Sequence, residues 1–308
     1  MELIRGFKGL NDRQRGSVVT IGTFDGMHLG HQALLTRLKE HGERLRRPVM
    51  VLTFEPMPRE FLLGSGQAPA RLTSCRERWR ILERLGCDFL WLLRFGPSLR
   101  NLTGEDFASL LARELRTPLV VVGHDFRFGR NGEATVAMLS SAGQRLGFEV
   151  DVVPPVTVDG ERVSSSGVRD ALARADFEQV RRWLGRPYSM TGRVVQGNRL
   201  GRNLGFPTAN LQIERRRPPL QGIFAVRVRG AADGALPGVA SLGTRPTVDG
   251  EHTLLEAHVF DFSGDLYGRE IEVEFVAKLR EEERFESLDA LVAQMHKDAA
   301  QARQILNG

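Results

Sequence analysis

Cysteine is nearly absent from this 308-residue chain, which holds only Cys75 and Cys87. Two cysteines make neither a disulfide framework nor a zinc-finger spacing, so reduced, partly buried thiols are expected. Lysine is scarce as well: Lys8, Lys39, Lys278 and Lys297 are the whole set, and arginine carries nearly all the positive charge. The pattern GxxxxGK[ST] is missing, which excludes a P-loop nucleotide site. The longest apolar runs, such as Leu119 to Val122, are far too short to span a bilayer. Met1-Glu2-Leu3-Ile4-Arg5 offers no apolar core of a secretory signal, so the cytoplasm is the expected location. There is no internal repeat and no low-complexity tract.

With 41% hydrophobic and 26% charged residues, the chain has the composition of a globular protein, and its length calls for two domains. The net charge is +5, but arginine and glutamate are interspersed. The densest cluster, Glu214-Arg215-Arg216-Arg217, is too short for a duplex-binding arm, and no aromatic platform accompanies it. Anionic small molecules such as nucleotides fit this balance better than nucleic acid or membrane.

Up to about Gly185, short apolar runs alternate with helical-period segments. The runs are Val18 to Ile21, Val49 to Phe54, Phe89 to Leu93, Leu119 to Val122 and Glu149 to Val153; the segments between them are Gln32 to Arg46, Cys75 to Leu85, Gly104 to Arg116 and Ala134 to Leu146. This alternation predicts a parallel sheet covered by helices on both faces. Two more helices, Ser166 to Ala175 and Phe177 to Leu184, close this half. Beyond Tyr188 glycine and period-two runs take over, as in Glu270-Ile271-Glu272-Val273-Glu274-Phe275. Five or six such strands predict a small antiparallel barrel, capped by a helix over about Ser287 to Leu306. The boundary is expected at Gly185-Arg186-Pro187, giving domains 1–185 and 186–308.

The stretch TIGTFDGMHLGHQALL, Thr20 to Leu35, places His28 and His31 where a strand turns into a helix. In an open parallel sheet ligands bind at that edge, and a helix N-terminus suits phosphate. Two imidazoles on one helical turn are placed to stabilise charge on phosphate oxygens, while Gly22, Gly26 and Gly30 allow close approach. A metal site would need a third ligand, and simple helix packing is the other alternative. Ser164-Ser165-Ser166, followed by Arg169, is either a helix cap or a phosphate grip. In GRNLGFPTANL, Thr208 and Asn210 stand two apart, so an extended segment presents both on one face. A hydroxyl and an amide carbonyl are hard oxygens that magnesium accepts, although the composition also reads as a turn. Glu256 shares a strand face with Leu254 and His258, and composition alone makes it a solvated carboxylate.

Together these motifs resemble the bacterial bifunctional FAD synthetases, which join an HxGH-type nucleotidyltransferase domain to a flavokinase barrel. FEPMPREFL, PARLTS and VVGHDFRFGRNG match the first module, and GRVVQGNRLGR, FPTAN, SLGTRPTV, LLEAHVFDFSGDLYG and KLREEERF match the second. The resemblance implies a Rossmann-like N-terminal domain, a small flavokinase-type β-barrel with a terminal helix, and conversion of riboflavin to FMN and then FAD. It implies that ATP lies over Gly22, Thr23, Phe24, Asp25 and Gly30, and that His28 and His31 act on the α-phosphate. Ser164, Ser165, Ser166 and Arg169 would hold the triphosphate, with Asp125, Phe126 and Arg127 near FMN. In the barrel, Gly197, Thr208 and Asn210 would bind Mg²⁺ and ATP, Arg280 and Phe285 the flavin, and Glu256 would be the general base. Thr23, His124, Ser166, Gln196, Asn198 and Ser241 depart from the usual residues. Riboflavin, FMN and ATP are the expected partners, and the chain is expected as a monomer or weak homo-oligomer. Two other readings are an adenylyltransferase with a different acceptor beside a flavin-binding barrel, and a flavin-storage protein with silent sites.

Overall fold

The computed structural model describes residues 1–6, 9–197, 205–215, 217–247 and 250–307, with the side chains of residues 65, 245–247 and 250–252 left undescribed. Asn198 and most of the glycine-rich stretch up to residue 204 lie outside the described residues. By internal contacts the chain forms two units. The first comprises Met1–Pro69 and Cys75–Ser164, and the second Ala70–Ser74 and everything from Ser165.

The first unit is built from β1 (Glu2–Arg5), β2 (Val18–Ile21), α1 (Leu29–Leu45), β3 (Val49–Glu55), α2 (Pro58–Gln67), α3 (Cys75–Arg84), β4 (Phe89–Arg94), α4 (Pro97–Arg100), α5 (Gly104–Leu110), β5 (Leu119–Gly123), α6 (Val136–Leu146), β6 (Glu149–Val153) and the short hairpin β7 (Thr157–Val158) and β8 (Glu161–Arg162). Six strands pair in the order β1-β4-β3-β2-β5-β6, all parallel. After β2 the chain builds toward β4, then crosses to place β5 on the other side of β2. The topological switch point therefore lies at the carboxyl end of β2. Val18, Val19, Val120, Val121 and their neighbours are fully buried, as strands covered on both faces require. The segment expected as one helix to Arg116 passes instead into a wider π turn at Leu111–Leu115. β1 and α2 were not legible as elements: β1 buries only Ile4, and α2 is broken at Gly64 by a φ of 73°.

The second unit contains α7 (Ser165–Ala173), α8 (Phe177–Leu184), β9 (Ser189–Val195), β10 (Ala209–Gln212), β11 (Gly222–Arg229), β12 (Ala235–Thr247), β13 (Gly250–Val259), β14 (Glu270–Arg280) and α9 (Leu288–Asn307). Its six strands close into a barrel in the order β10-β13-β12-β11-β14-β9 through antiparallel pairs. Ala302 and Leu306 of α9 join Ala225 and Phe260 in one buried cluster. The contact boundary falls at Ser164/Ser165, earlier than the expected 185/186, because Phe177 of α8 packs on Phe224 and Phe275 of the barrel. The segment Ala70–Ser74 belongs here too. Arg169 donates to the Ala70 carbonyl, and Tyr188 and Arg215 both donate to that of Leu72.

Candidate active sites

At the switch point, residues 22–28 form a tight buried loop. Phe24, Gly26 and Met27 all have left-handed φ values of 51°, 85° and 50°, a conformation that costs Phe24 and Met27 about 1–2 kcal/mol each. Such strain persists because Phe24, Asp25 and Met27 are buried and the surroundings fix them. A Cβ at Gly22 would sit 3.2 Å from the Phe24 ring, and one at Gly30 3.1 Å from the His28 ring. The glycines therefore make room for the neighbouring rings. A Cβ at Gly30 would also lie 3.8 Å from the Val163 carbonyl, so the segment leading to Ser164 passes beside the first turn of α1.

His28 is the N-cap of α1, and its Nδ1 accepts the His31 backbone N–H at 3.3 Å. An accepting Nδ1 puts the ring proton on Nε2. The His31 ring stacks on His28 with centroids 3.7 Å apart and planes 19° from parallel. Burial first, then the electrostatic influence of His28 and Arg78, pushes the His31 pKa well below 6.5. His31 is thus neutral near pH 7, and its Nδ1 is buried without a partner among the described residues. A buried ring nitrogen with no partner among these residues, beside the N-terminus of α1, is suited to a ligand that brings a proton with it or accepts a hydrogen bond.

Sequence reasoning missed Arg78. Its side chain is 1% exposed, and its guanidinium donates to the Thr23 carbonyl at 2.8 Å, the Thr53 hydroxyl at 3.3 Å and Glu55 at 2.8 Å. It thereby ties the switch-point loop to the end of β3. The signal in the sequence was an arginine at i−4 from the buried Leu82, on the apolar stripe of α3. At the same sheet edge Phe95 packs edge-on to Phe54 and Phe61, and Phe61, Leu62 and Leu63 of α2 are exposed.

The loop after β5 carries Asp125, Phe126 and Arg127. Arg162 pairs with Asp125; burial opposes ionisation of that carboxylate, yet Arg162 and His124 hold its pKa below the usual value. Phe126 stacks on Phe128 at 5.5 Å, while Arg127 is exposed. Ser165, Ser166 and Arg169 lie on α7 in the second unit.

In the barrel, register explains the placement of the remaining residues. Asn210 of β10 lies opposite Glu256 of β13, and Glu256 lies opposite Ser241 of β12. Directly opposed residues share a face, so these three polar side chains form a row. The neighbouring row, Leu211, Leu255 and Leu242, is fully buried and points the other way. β10 makes Asn210 part of a strand, where the composition had also allowed a turn. Thr208 immediately precedes it. A Cβ at Gly197 would fall 2.5 Å from the Asn210 amide nitrogen and 2.7 Å from its oxygen, so the backbone there is fitted to that amide. Arg280 sits in register with Ile223, which faces Ser241. Its guanidinium is held by both oxygens of Asp298 on α9, and it lies 5.5 Å from the centroid of Phe285.

Two family models match the chain: FAD synthetase over residues 10–167 and Riboflavin kinase over residues 184–306. The bifunctional riboflavin kinase/FMN adenylyltransferase of Escherichia coli (strain K12) is 45% identical over 99% of this chain and 97% of its own length. The protein of the same name from Pseudomonas fluorescens is 46% identical over 99% and 98%, and that from Haemophilus influenzae 40% over the full length of both. A crystal structure described as a macrolide-efflux protein from Streptococcus pneumoniae superposes with a TM-score of 0.82 at 31% identity, covering 98% of each chain. Among the described residues no helix is long and apolar enough to cross a membrane. Matched end to end and in both modules, this chain belongs to the bifunctional riboflavin kinase/FMN adenylyltransferase family.

Proposed function

We propose that the barrel phosphorylates riboflavin with ATP to give FMN, and that the parallel-sheet domain transfers AMP from a second ATP to FMN, giving FAD and pyrophosphate. The observation that carries this reading is the stacked His28–His31 pair at the switch point. In the second step an FMN phosphate oxygen attacks the α-phosphorus and the bond to the β-phosphate oxygen breaks. His28, through Nε2, and His31 stabilise the charge that grows on the α-phosphate. Gly22, Thr23, Phe24, Asp25 and Gly30 shape the ATP loop, and Ser164, Ser165, Ser166 and Arg169 hold the triphosphate. Asp125, Phe126 and Arg127 border the FMN, and the exposed Phe61 at this sheet edge, packed on Phe95, offers the isoalloxazine an apolar contact.

In the first step the ribityl 5′-hydroxyl attacks the γ-phosphorus, ADP leaves, and Glu256 takes the hydroxyl proton. Thr208 and Asn210 supply oxygens to Mg²⁺, which neutralises phosphate charge when bound. The pair fits that ion: both are hard neutral donors, and Gly197 leaves the Asn210 amide a space no side chain can share. Arg280 and Phe285 border the flavin. The functional domains are 1–185 and 186–308, working in the cytoplasm as a monomer or weak homo-oligomer.

The test is incubation with riboflavin, ATP and Mg²⁺, with the flavins separated over time. FMN should appear first and FAD second. His28→Ala or His31→Ala should stop at FMN, and Glu256→Ala should make FAD only from supplied FMN. A folded variant that lost both activities would refute the division of labour.

A further inference from the structure

We propose that His258 is a positioning residue of the kinase site, one that fixes the Thr208 hydroxyl by holding the carbonyl before it. This rests on the reading that Thr208 and Asn210 bind the metal–nucleotide.

The β10–β13 ladder has Ala209 opposite Ala257, so one step outward Thr208 faces His258. There the ladder ends. Pro207 has no N–H to extend it, and its carbonyl would be left without a strand partner. The His258 side chain supplies that partner: its Nδ1 lies 2.8 Å from the Pro207 oxygen. A carbonyl only accepts, so Nδ1 carries the proton. Thr208 is thereby pinned on both sides, by the ring on Pro207 and by the ladder at Ala209. Being β-branched, its χ1 is stiff, and a fixed backbone fixes the hydroxyl direction.

The imidazole itself is locked. The Phe206 ring, 5% exposed, stands edge-on to His258 at 5.2 Å and to His296 of α9 at 4.8 Å. His258 also meets Phe260 at 5.7 Å, and the Arg303 guanidinium of α9 covers Phe260 at 4.3 Å while pairing with Asp261. A run of rings and one cation thus ties the terminal helix to the residue before Pro207. Phe206 and Pro207 are held by side chains where backbone pairing cannot reach.

The test compares His258→Phe, which keeps a ring and loses the donor, with His258→Asn, which keeps a donor near Nδ1. Two quantities are read: the KM for Mg·ATP in riboflavin phosphorylation, and the affinity for Mg·ADP by titration calorimetry. Losing one positioned hydrogen bond should weaken both about tenfold in His258→Phe, with kcat changed less than about threefold. His258→Asn should return both to within about threefold of the parent. FAD formation from supplied FMN reports folding of the same sample. Parent-like Mg·ADP affinity in His258→Phe, equal impairment of the two variants, or joint loss of FAD formation would each overturn the proposal. Thr208→Ala marks the underlying reading: if it binds Mg·ADP as the parent does, the metal assignment itself fails.

Discussion

Replacing Arg78 by methionine separates what holds the switch-point loop from the groups proposed to react in it. Methionine keeps most of the buried stem and removes the guanidinium that joins the Thr23 carbonyl, the Thr53 hydroxyl and Glu55. Breaking a buried ion pair costs about 3–5 kcal/mol. Glu55 is 33% exposed and can regain water, which lowers that figure. The Thr23 carbonyl would lose its charged partner, at about 1–3 kcal/mol. The buried Nε of Arg78, unpaired among the described residues, is relieved by the substitution and offsets part of the loss. A net destabilisation of about 2–3 kcal/mol is expected, or roughly 5–10 °C in Tm for a unit of this size. The larger effect should be kinetic. The left-handed conformations at Phe24 and Met27 are held by their surroundings, and release of Thr23 lets the loop relax. A displacement of about 1 Å at a reacting centre costs about a hundredfold, so FAD formation should fall by about that factor. Riboflavin phosphorylation by the same protein should change less than about twofold. Arg78→Lys should fall between, because an ammonium cannot reproduce the planar fork. If Arg78→Met lost under about 1 °C in Tm and kept kcat/KM for FAD formation within about threefold, the role given to Arg78 would be wrong.

Two further outcomes follow from single contacts. Gly197→Ala would place a Cβ 2.5 Å from the Asn210 amide, so the KM for Mg·ATP in FMN formation should rise at least about tenfold with FAD formation unaffected; an unchanged KM would show that Asn210 does not face the nucleotide. His31 binds its proton more weakly folded than unfolded, since burial first, then the electrostatic influence of His28 and Arg78, depresses its pKa. The unfolded chain therefore takes up more protons as pH falls below about 6.5, and this group's contribution to stability declines from there toward acid. Denaturation midpoints from pH 7 to 5 should fall more gently in His31→Gln than in the parent, and parallel curves would contradict the assigned shift.

Strands buried on both sides could be read from sequence because their chemistry is continuous: β2 lies where its apolar run predicted, and β3, β4 and β5 each extend one residue further, while β6, an edge strand with no buried residue, keeps its expected bounds. The barrel was legible for the complementary reason, since a strand with one wet face alternates, as β14 does. β1 escaped because one buried residue in four gives no pattern. The boundary at 185/186 followed a change in composition, whereas contacts follow the side chain of Phe177 into the barrel. Site residues divide along the same line. Motif spacing pointed to His28 and His31 and left Thr208 and Asn210 open between a metal pair and a turn, while Glu256 was marked only by the family resemblance. Nothing local marked Arg78 as a partner of Thr23, 55 residues away, or His258 as a partner of Pro207.

By itself the sequence determined the kinds of element and their order, and it offered candidate side chains for phosphate and a hard metal. It could do so because periodicity and short motifs are local properties of a chain. The tertiary structure decided what those groups meet. Strand order put the histidine loop at a switch point, register aligned Asn210, Glu256 and Ser241, and burial pushed the His31 pKa down. Each of these depends on residues far apart in sequence coming within a few ångströms, where burial and charge set the chemistry of the group.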